Sequence, residues 1–192
     1  MNDTKTIILA AGEGSRMHSQ KPKVLHQVCG ENILDYVIVA SKASGITDIG
    51  VIVGFQAELV KASLAPQMVT YYQPEQLGTG HAVLQALPFF EALQGNLLVL
   101  VGDAPLIRPE TLTGLIAAHE TGGYAATVLT AEFDDPIGYG RMIKNSAGEL
   151  LKIVEEKDAS SAEKQVAEIN SGIYCFDAQA LIGALKDRKS VV

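Results

Sequence analysis

Cysteine is scarce in this chain: 192 residues carry two, Cys29 and Cys175, far apart in sequence. That spacing offers no metal-ligand pattern and suits a reducing compartment. Positive charge is also short. Fifteen Lys and Arg against 22 Asp and Glu leave a net charge of -7, which argues against non-specific binding to nucleic acid. Any phosphate ligand must then be met by a local cluster of positive groups. No apolar run reaches the length of a membrane span. The opening MNDTKTIILAAG lacks the charged n-region, apolar h-region and cleavage site of a signal peptide. Repeats and low-complexity linkers are missing too. These absences set the expectation of a cytoplasmic protein with no membrane and no nucleic-acid partner. Hydrophobic residues make up 47% of the chain and charged residues 19%, a soluble globular balance with room for one full-sized core.

Short apolar runs alternate with helical patterns. TIILA (6–10), DIGVIVG, MVTYYQ and LLVLVGD (97–103) read as strands. NILDYVIVASKAS (32–44), FQAELVKASL, TGHAVLQALPFFEAL and PETLTGLIAAHE read as helices. Asn32 is a candidate N-cap and Gly45 a stop. Pro88 must kink or split the third helix, and Pro109 suits a first helical turn. Strand–helix alternation predicts parallel βαβ units, with ligands beyond the carboxyl ends of the strands. After Gly123 the pattern changes. YAATVLTAEF reads as a strand, DDPIGYG as a loop, and RMIKNSAGELLKIVEEK as a hairpin turning near 145–148. EINSGIYCF (168–176) reads as a further strand, with a helix from Asp177. The expectation is a nucleotide-binding α/β half followed by a more antiparallel substrate half.

The segment LAAGEGSRMHSQKPKVL (9–25) is the first to carry chemistry. Gly12 and Gly14 let backbone approach a ligand and expose N–H groups to phosphate. Met17 stands where a dinucleotide fingerprint needs its third glycine, and the P-loop pattern is absent. The loop instead delivers Arg16 and Lys23, two cations suited to a triphosphate and a departing pyrophosphate. The alternative is a glycine-rich turn with solvated charges. In QPEQLGTGHA, Gln73 and Gln76 offer donors and acceptors to a nucleobase edge, and Gly78 allows close approach. The alternative there is a polar loop with a helix cap at Thr79 and a hydrogen-bonded His81. Asp103 ends an apolar strand and is a candidate Mg2+ ligand, or else a charge at the start of the next helix. Gly140, Glu155 and Asn170 could serve sugar hydroxyls or an acetamido group, although the run EEKD containing Glu155 and Lys157 also reads as a solvated edge.

Together LAAGEGSRM, PKVL, QLGTGHA, GDAPLI, GYGR, IVEEKD and EINSGIY resemble a known family. It is the uridylyltransferase half of the bacterial bifunctional N-acetylglucosamine-1-phosphate uridylyltransferases / glucosamine-1-phosphate acetyltransferases. The resemblance runs in order from about Ile7 to Phe176. It implies a Rossmann-like nucleotide-diphospho-sugar transferase fold, α/β, with a mixed, mostly parallel sheet flanked by helices. It implies a nucleotidyltransferase that converts UTP and N-acetylglucosamine 1-phosphate to UDP-N-acetylglucosamine and pyrophosphate, with Mg2+, for peptidoglycan and lipopolysaccharide precursors. Arg16 and Lys23 would be catalytic. Leu9, Ala10, Ala11, Gly12, Lys23, Gln73, Gln76, Gly78, Thr79, Val101, Gly102 and Asp103 would hold the nucleotide. Asp103 would bind the metal, and Gly140, Glu155 and Asn170 would hold the amino sugar.

The chain also departs from the family. Relatives often carry Tyr where Val101 stands. They continue into a segment with a second, asparagine metal ligand, and then a β-helix acetyltransferase that builds a trimer. Residues 1–186 are therefore expected to be an incomplete nucleotidyltransferase domain with its C-terminal part missing. The ending DRKSVV (187–192) is expected to be a non-native tail. The trimer is expected only of a full-length parent. Rival readings are a nucleotide-binding fragment without turnover and a related transferase with another base or sugar. An NAD-dependent oxidoreductase fits less well, because the third glycine is absent and because Glu31 or Asp35, about 20 positions beyond the glycines, follows no second strand.

Overall fold

A computed structural model describes the chain except residues 1, 2, 15, 16, 18 and 190–192. In chain order the elements are β1 (Thr4–Ala10), β2 (Gln27–Val28), β3 (Glu31–Asn32), α1 (Ile33–Ala43), β4 (Ile49–Val53) and α2 (Ala57–Ser63). Next come β5 (Val69–Tyr72), α3 (Thr79–Gln85), α4 (Leu87–Phe90), β6 (Asn96–Val101) and α5 (Pro109–Gly122). The last are β7 (Ala126–Glu132), β8 (Arg141–Lys144), β9 (Leu150–Val154), β10 (Glu168–Asp177) and α6 (Ala178–Lys189). A 3-10 turn covers Lys23–Leu25. The chain forms two compact units, residues 1–127 with 174–192 and residues 128–173.

In the larger unit β5, β4, β1 and β6 pair in parallel, and the Tyr174–Asp177 end of β10 runs antiparallel to β6. Buried strands need apolar residues on both faces, and β4 is buried at every position. On one face Ile7, Ile52, Leu97 and Val99 pack with Ala82, Phe90, Ile182 and Leu185 from α3, α4 and α6. On the other, Ser41 of α1 hydrogen-bonds Thr6 at 3.1 Å, both fully buried.

Helix limits follow local chemistry. Asn32 precedes α1, but its side chain bonds Asp35 at 2.9 Å instead of capping the backbone. Gly45, at φ +91, follows the end of the helix. Pro88 splits the expected third helix into α3 and α4, because proline removes a donor and clashes with the preceding turn. The β2–β3 hairpin turns on Cys29 and Gly30, both at positive φ. Cys29 is exposed, while Cys175 on β10 is buried and its thiol is pushed up to about 12, mainly by burial.

In the smaller unit β8 pairs antiparallel with β9 and with β10 through Arg141 and Ile169, and β7 pairs β10. The β8–β9 hairpin turns at the expected place. Asn145 Oδ1 accepts from the amides of Ala147 and Glu149, and Gly148 takes φ +83. No helix among the described residues is long and apolar enough to cross a membrane.

Candidate active site

A cleft of about 490 Å3 opens in the larger unit at the carboxyl ends of β1 and β6. Its walls include Leu9, Ala10, Ala11, Gly12, Lys23, Gln73, Gln76, Gly78, Thr79, Val101 and Asp103. The sequence-derived nucleotide residues therefore converge. Gly102 is the described exception. It is buried behind the wall, where a Cβ would lie 2.9 Å from the Leu9 carbonyl. Its amide donates to that same oxygen at 2.9 Å, so glycine here lets β6 close against β1. Arg16 lies outside the described residues.

The loop after β1 is fixed from both sides. Ala11 O accepts from Phe55 N and from Gln76 Nε2, each at 3.0 Å. Gly54 permits this approach, since a Cβ there would sit 2.8 Å from Ala11 Cβ. Gly14 takes φ +65, and a Cβ on it would lie 2.6 Å from Lys23 Cβ. Gly14 thus makes room for the Lys23 stem, whereas among the described residues nothing beyond the chain neighbours lies within 4 Å of a Cβ placed on Gly12. One glycine admits a lysine and the other leaves backbone open to the cleft.

Lys23 follows Pro22, which is extended at ψ 135. Its Nζ donates to Asp103 Oδ2 at 2.8 Å, with both side chains about 38–39% exposed. Asp103 is not a helix-start charge: α5 begins at Pro109, and Glu110 occupies that first turn. Among the described residues no three His, Cys, Asp or Glu side chains form a metal cluster. A lone carboxylate beside an open cleft nevertheless fits Mg2+, which is usually held by one or two carboxylates plus substrate phosphates.

Gln73 is 5% exposed. Its Nε2 lies 3.3 Å from Gly78 O and 3.2 Å from His81 Nδ1. Gln85 Nε2 lies 3.0 Å from His81 Nε2. His81 is therefore a partnered side chain at the start of a helix. The cap alternative for Thr79 is overturned: the cap position is Gly78, at φ +99, with no side-chain cap bond. Left-handed backbone at that position excludes most side chains. Gln76 contributes its amide to Ala11, so part of its donor capacity serves the loop.

In the smaller unit Gly140, Glu155 and Asn170 come together. A Cβ at Gly140 would lie 3.3 Å from Glu155 Oε1 and 3.6 Å from Asn170 Cβ. Asn170 N donates to Gly140 O at 2.8 Å, and Asn170 Oδ1 accepts from Gly172 N at 3.0 Å. The EEKD run is divided. Glu155 is exposed, while Glu156 accepts from Arg141 Nη2 at 2.8 Å and from Gly138 N at 3.3 Å. The Arg141 bond and the Gly138 amide hold the Glu156 carboxyl below the ordinary carboxylate range.

Arg141 was not foreseen. Its side chain is 1% exposed, and it also donates to the carbonyls of Tyr139 and Lys164. An arginine directly after GYG was visible, but nothing in the spacing marks it as buried. Val24 and Ala82 also line the cleft. Their only sequence signal is position, Val24 beside Lys23 and Ala82 three residues beyond Thr79.

Comparison with known proteins identifies the family and the fold. Residues 6–168 match the MobA-like NTP transferase domain model. The chain is 54% identical over 184 residues to the bifunctional protein GlmU of Pelotomaculum thermopropionicum and 52% identical over 186 residues to that of Alkaliphilus oremlandii. Those alignments cover 96% and 97% of this chain, and the chain spans about 40% of the length of these curated relatives. A crystal structure of a putative glucose-1-phosphate thymidylyltransferase from Bacillus anthracis, in complex with a sucrose, superposes with a TM-score of 0.72. Its identity is 22%, over 93% of this chain and 73% of that one, a likeness of fold.

Proposed function

The chain belongs to the MobA-like NTP transferase domain family, and from that premise we propose that it transfers a uridylyl group from UTP to N-acetylglucosamine 1-phosphate. The products are UDP-N-acetylglucosamine and pyrophosphate. The observation that carries the reading is the cleft at the strand ends, with open backbone at Gly12 and the Lys23–Asp103 pair on its wall.

In this reading the sugar phosphate oxygen attacks the α-phosphorus in line. The bond from that phosphorus to the bridging oxygen breaks, and pyrophosphate carries away the electron pair. Lys23 opposes the charge that builds on the departing phosphates, and Arg16 would act with it. Backbone at Ala11, Gly12 and Gly78 holds the nucleotide, and Gln73 contacts the base. Glu155 and Asn170 accept and donate to the amino sugar beside the side-chain-free Gly140. Asp103 would hold Mg2+ with the nucleotide phosphates, and the ion would supply charge neutralisation. No residue need form a covalent intermediate, so catalysis rests on positioning and electrostatics. A cytoplasmic site fits these substrates, and the product suits peptidoglycan and lipopolysaccharide precursor synthesis.

The test is Mg2+-dependent pyrophosphate release from UTP and N-acetylglucosamine 1-phosphate, run beside a UTP titration. Release that disappears in Asp103→Ala supports the reading. UTP binding without release reduces it to a nucleotide-binding chain. A chain that binds neither UTP nor the sugar phosphate refutes it.

A further inference from the structure

His81 is caught between two amides whose demands conflict. Gln73 Nε2 reaches both Gly78 O, at 3.3 Å, and His81 Nδ1, at 3.2 Å. Gln85 Nε2 reaches both His81 O, at 3.2 Å, and His81 Nε2, at 3.0 Å. A carbonyl oxygen only accepts and an amide nitrogen only donates. Satisfying both carbonyls would make both ring nitrogens acceptors. A neutral imidazole has one acceptor nitrogen and one N–H. One glutamine must therefore turn its oxygen toward the ring, with its heavy atoms otherwise in place.

Two arrangements result, and they present opposite chemistry to the cleft. With the proton on Nε2, Gln85 accepts from the ring. Gln73 then keeps its NH2 toward Nδ1 and Gly78, and its Oε1 is the free end. With the proton on Nδ1, Gln73 accepts from the ring and its NH2 becomes the free end. Each arrangement sets one amide oxygen against a carbonyl oxygen. That repulsion is least screened where burial is greatest. Gln73 is 5% exposed, whereas Gln85 is half-buried and can turn its NH2 to water.

We propose that His81 is a positioning residue held as the Nε2–H tautomer, which locks Gln73 with Oε1 toward the cleft and selects a pyrimidine carrying an N3–H. Uracil and thymine offer that donor. Cytosine presents a bare N3 acceptor, which would meet Oε1 with two lone pairs opposed. The proposal rests on the reading above that Gln73 contacts the base, and it supplies a physical cause for the preference for UTP.

The test uses Gln85, which is not in the cleft wall. Gln85→Lys puts a donor-only ammonium at Nε2, forces the proton to Nδ1, and turns the NH2 of Gln73 toward the base. Gln85→Leu removes the partner without imposing a tautomer. Titrations with UTP and CTP should give a UTP preference that falls roughly tenfold in Gln85→Lys. In Gln85→Leu it should stay within about twofold of the parent chain. Imidazole 15N shifts of His81 in the UTP complex should report Nε2–H in the parent and Nδ1–H in Gln85→Lys. A parent ring protonated at Nδ1, or an unchanged preference in Gln85→Lys, overturns the proposal. Equal loss in both variants also overturns it, because that is a packing effect. A parent chain that does not prefer UTP refutes uridylyl transfer. The 15N signal then still decides the tautomer of His81.

Discussion

Three glycines, Gly14, Gly54 and Gly102, bring backbone and a lysine stem into close contact around the cleft of the larger unit. In the 128–173 unit one buried guanidinium, Arg141, ties together Tyr139, Glu156 and Lys164. Ion pairs at Lys144–Glu168 and Lys152–Glu163 add to that unit. The first site is shaped by what is missing from side chains, the second by what charge holds in place. Contact distances between backbones cannot relax far, so the first should be rigid and intolerant of added atoms. Charge networks screen and titrate, so the second should answer to pH and salt.

The largest effect should come where the cleft does depend on a side chain. Asp103→Asn should weaken Mg2+-dependent UTP binding by about 100-fold or more, read by calorimetric titration with and without the ion. A loss that is the same without Mg2+ would assign Asp103 to Lys23 alone. Next, Gly54→Ala and Gly102→Ala should each cost about 1–3 kcal/mol in urea unfolding, because the new Cβ meets backbone that cannot move aside. Gly12→Ala, with open space around it, should leave stability nearly unchanged. That contrast separates glycines needed for packing from one left open to ligand.

Arg141→Met should cost about 2 kcal/mol by removing the hydrogen bonds that the buried guanidinium makes to Glu156 and to the Tyr139 and Lys164 carbonyls. It should weaken N-acetylglucosamine 1-phosphate binding while UTP binding stays within roughly twofold. Equal losses for both ligands would erase the distinction between the units. The smallest effect concerns Glu163, whose carboxyl is lowered to about 2, first by its bond to Lys152 and then by Ser160. Unfolded, it titrates near the ordinary 4.5. Its stabilisation is therefore complete above that value and is lost as pH falls toward 2. Glu163→Gln should flatten this acid loss in hydrogen exchange of the 128–173 unit and leave the larger unit unaffected.

Much of the fold was legible because burial leaves simple marks. A strand covered on both faces must be apolar throughout, so IGVIV and NLLVLV announced β4 and β6. Pro88 announced the break between α3 and α4, and Asn145 with Gly148 announced the hairpin turn. The β2–β3 hairpin was hidden because its strands are two residues each and Cys29, one of its two turn residues at φ +51, has no turn preference. The residues expected to hold a nucleotide were named as a set through family likeness, and all of them but Gly102 line one cleft. Their supports were not. Gly54 faces Ala11 across 43 residues and Gln76 reaches it across 65, and no local pattern encodes such a meeting. Arg141 was hidden for the opposite reason, since a buried charge looks in sequence like an exposed one.

The unequal fates of Cys29 and Cys175 have a practical consequence. At neutral pH a maleimide should react once, at the exposed hairpin thiol, and yield a homogeneously labelled molecule without mutagenesis. The second thiol, inside β10 and pushed up to about 12, is then a clock. It becomes alkylated only when the strand leaves the sheet, so the slow phase of the labelling curve counts openings of the larger unit. Recorded with and without UTP, that phase would test whether the nucleotide slows the opening of the sheet.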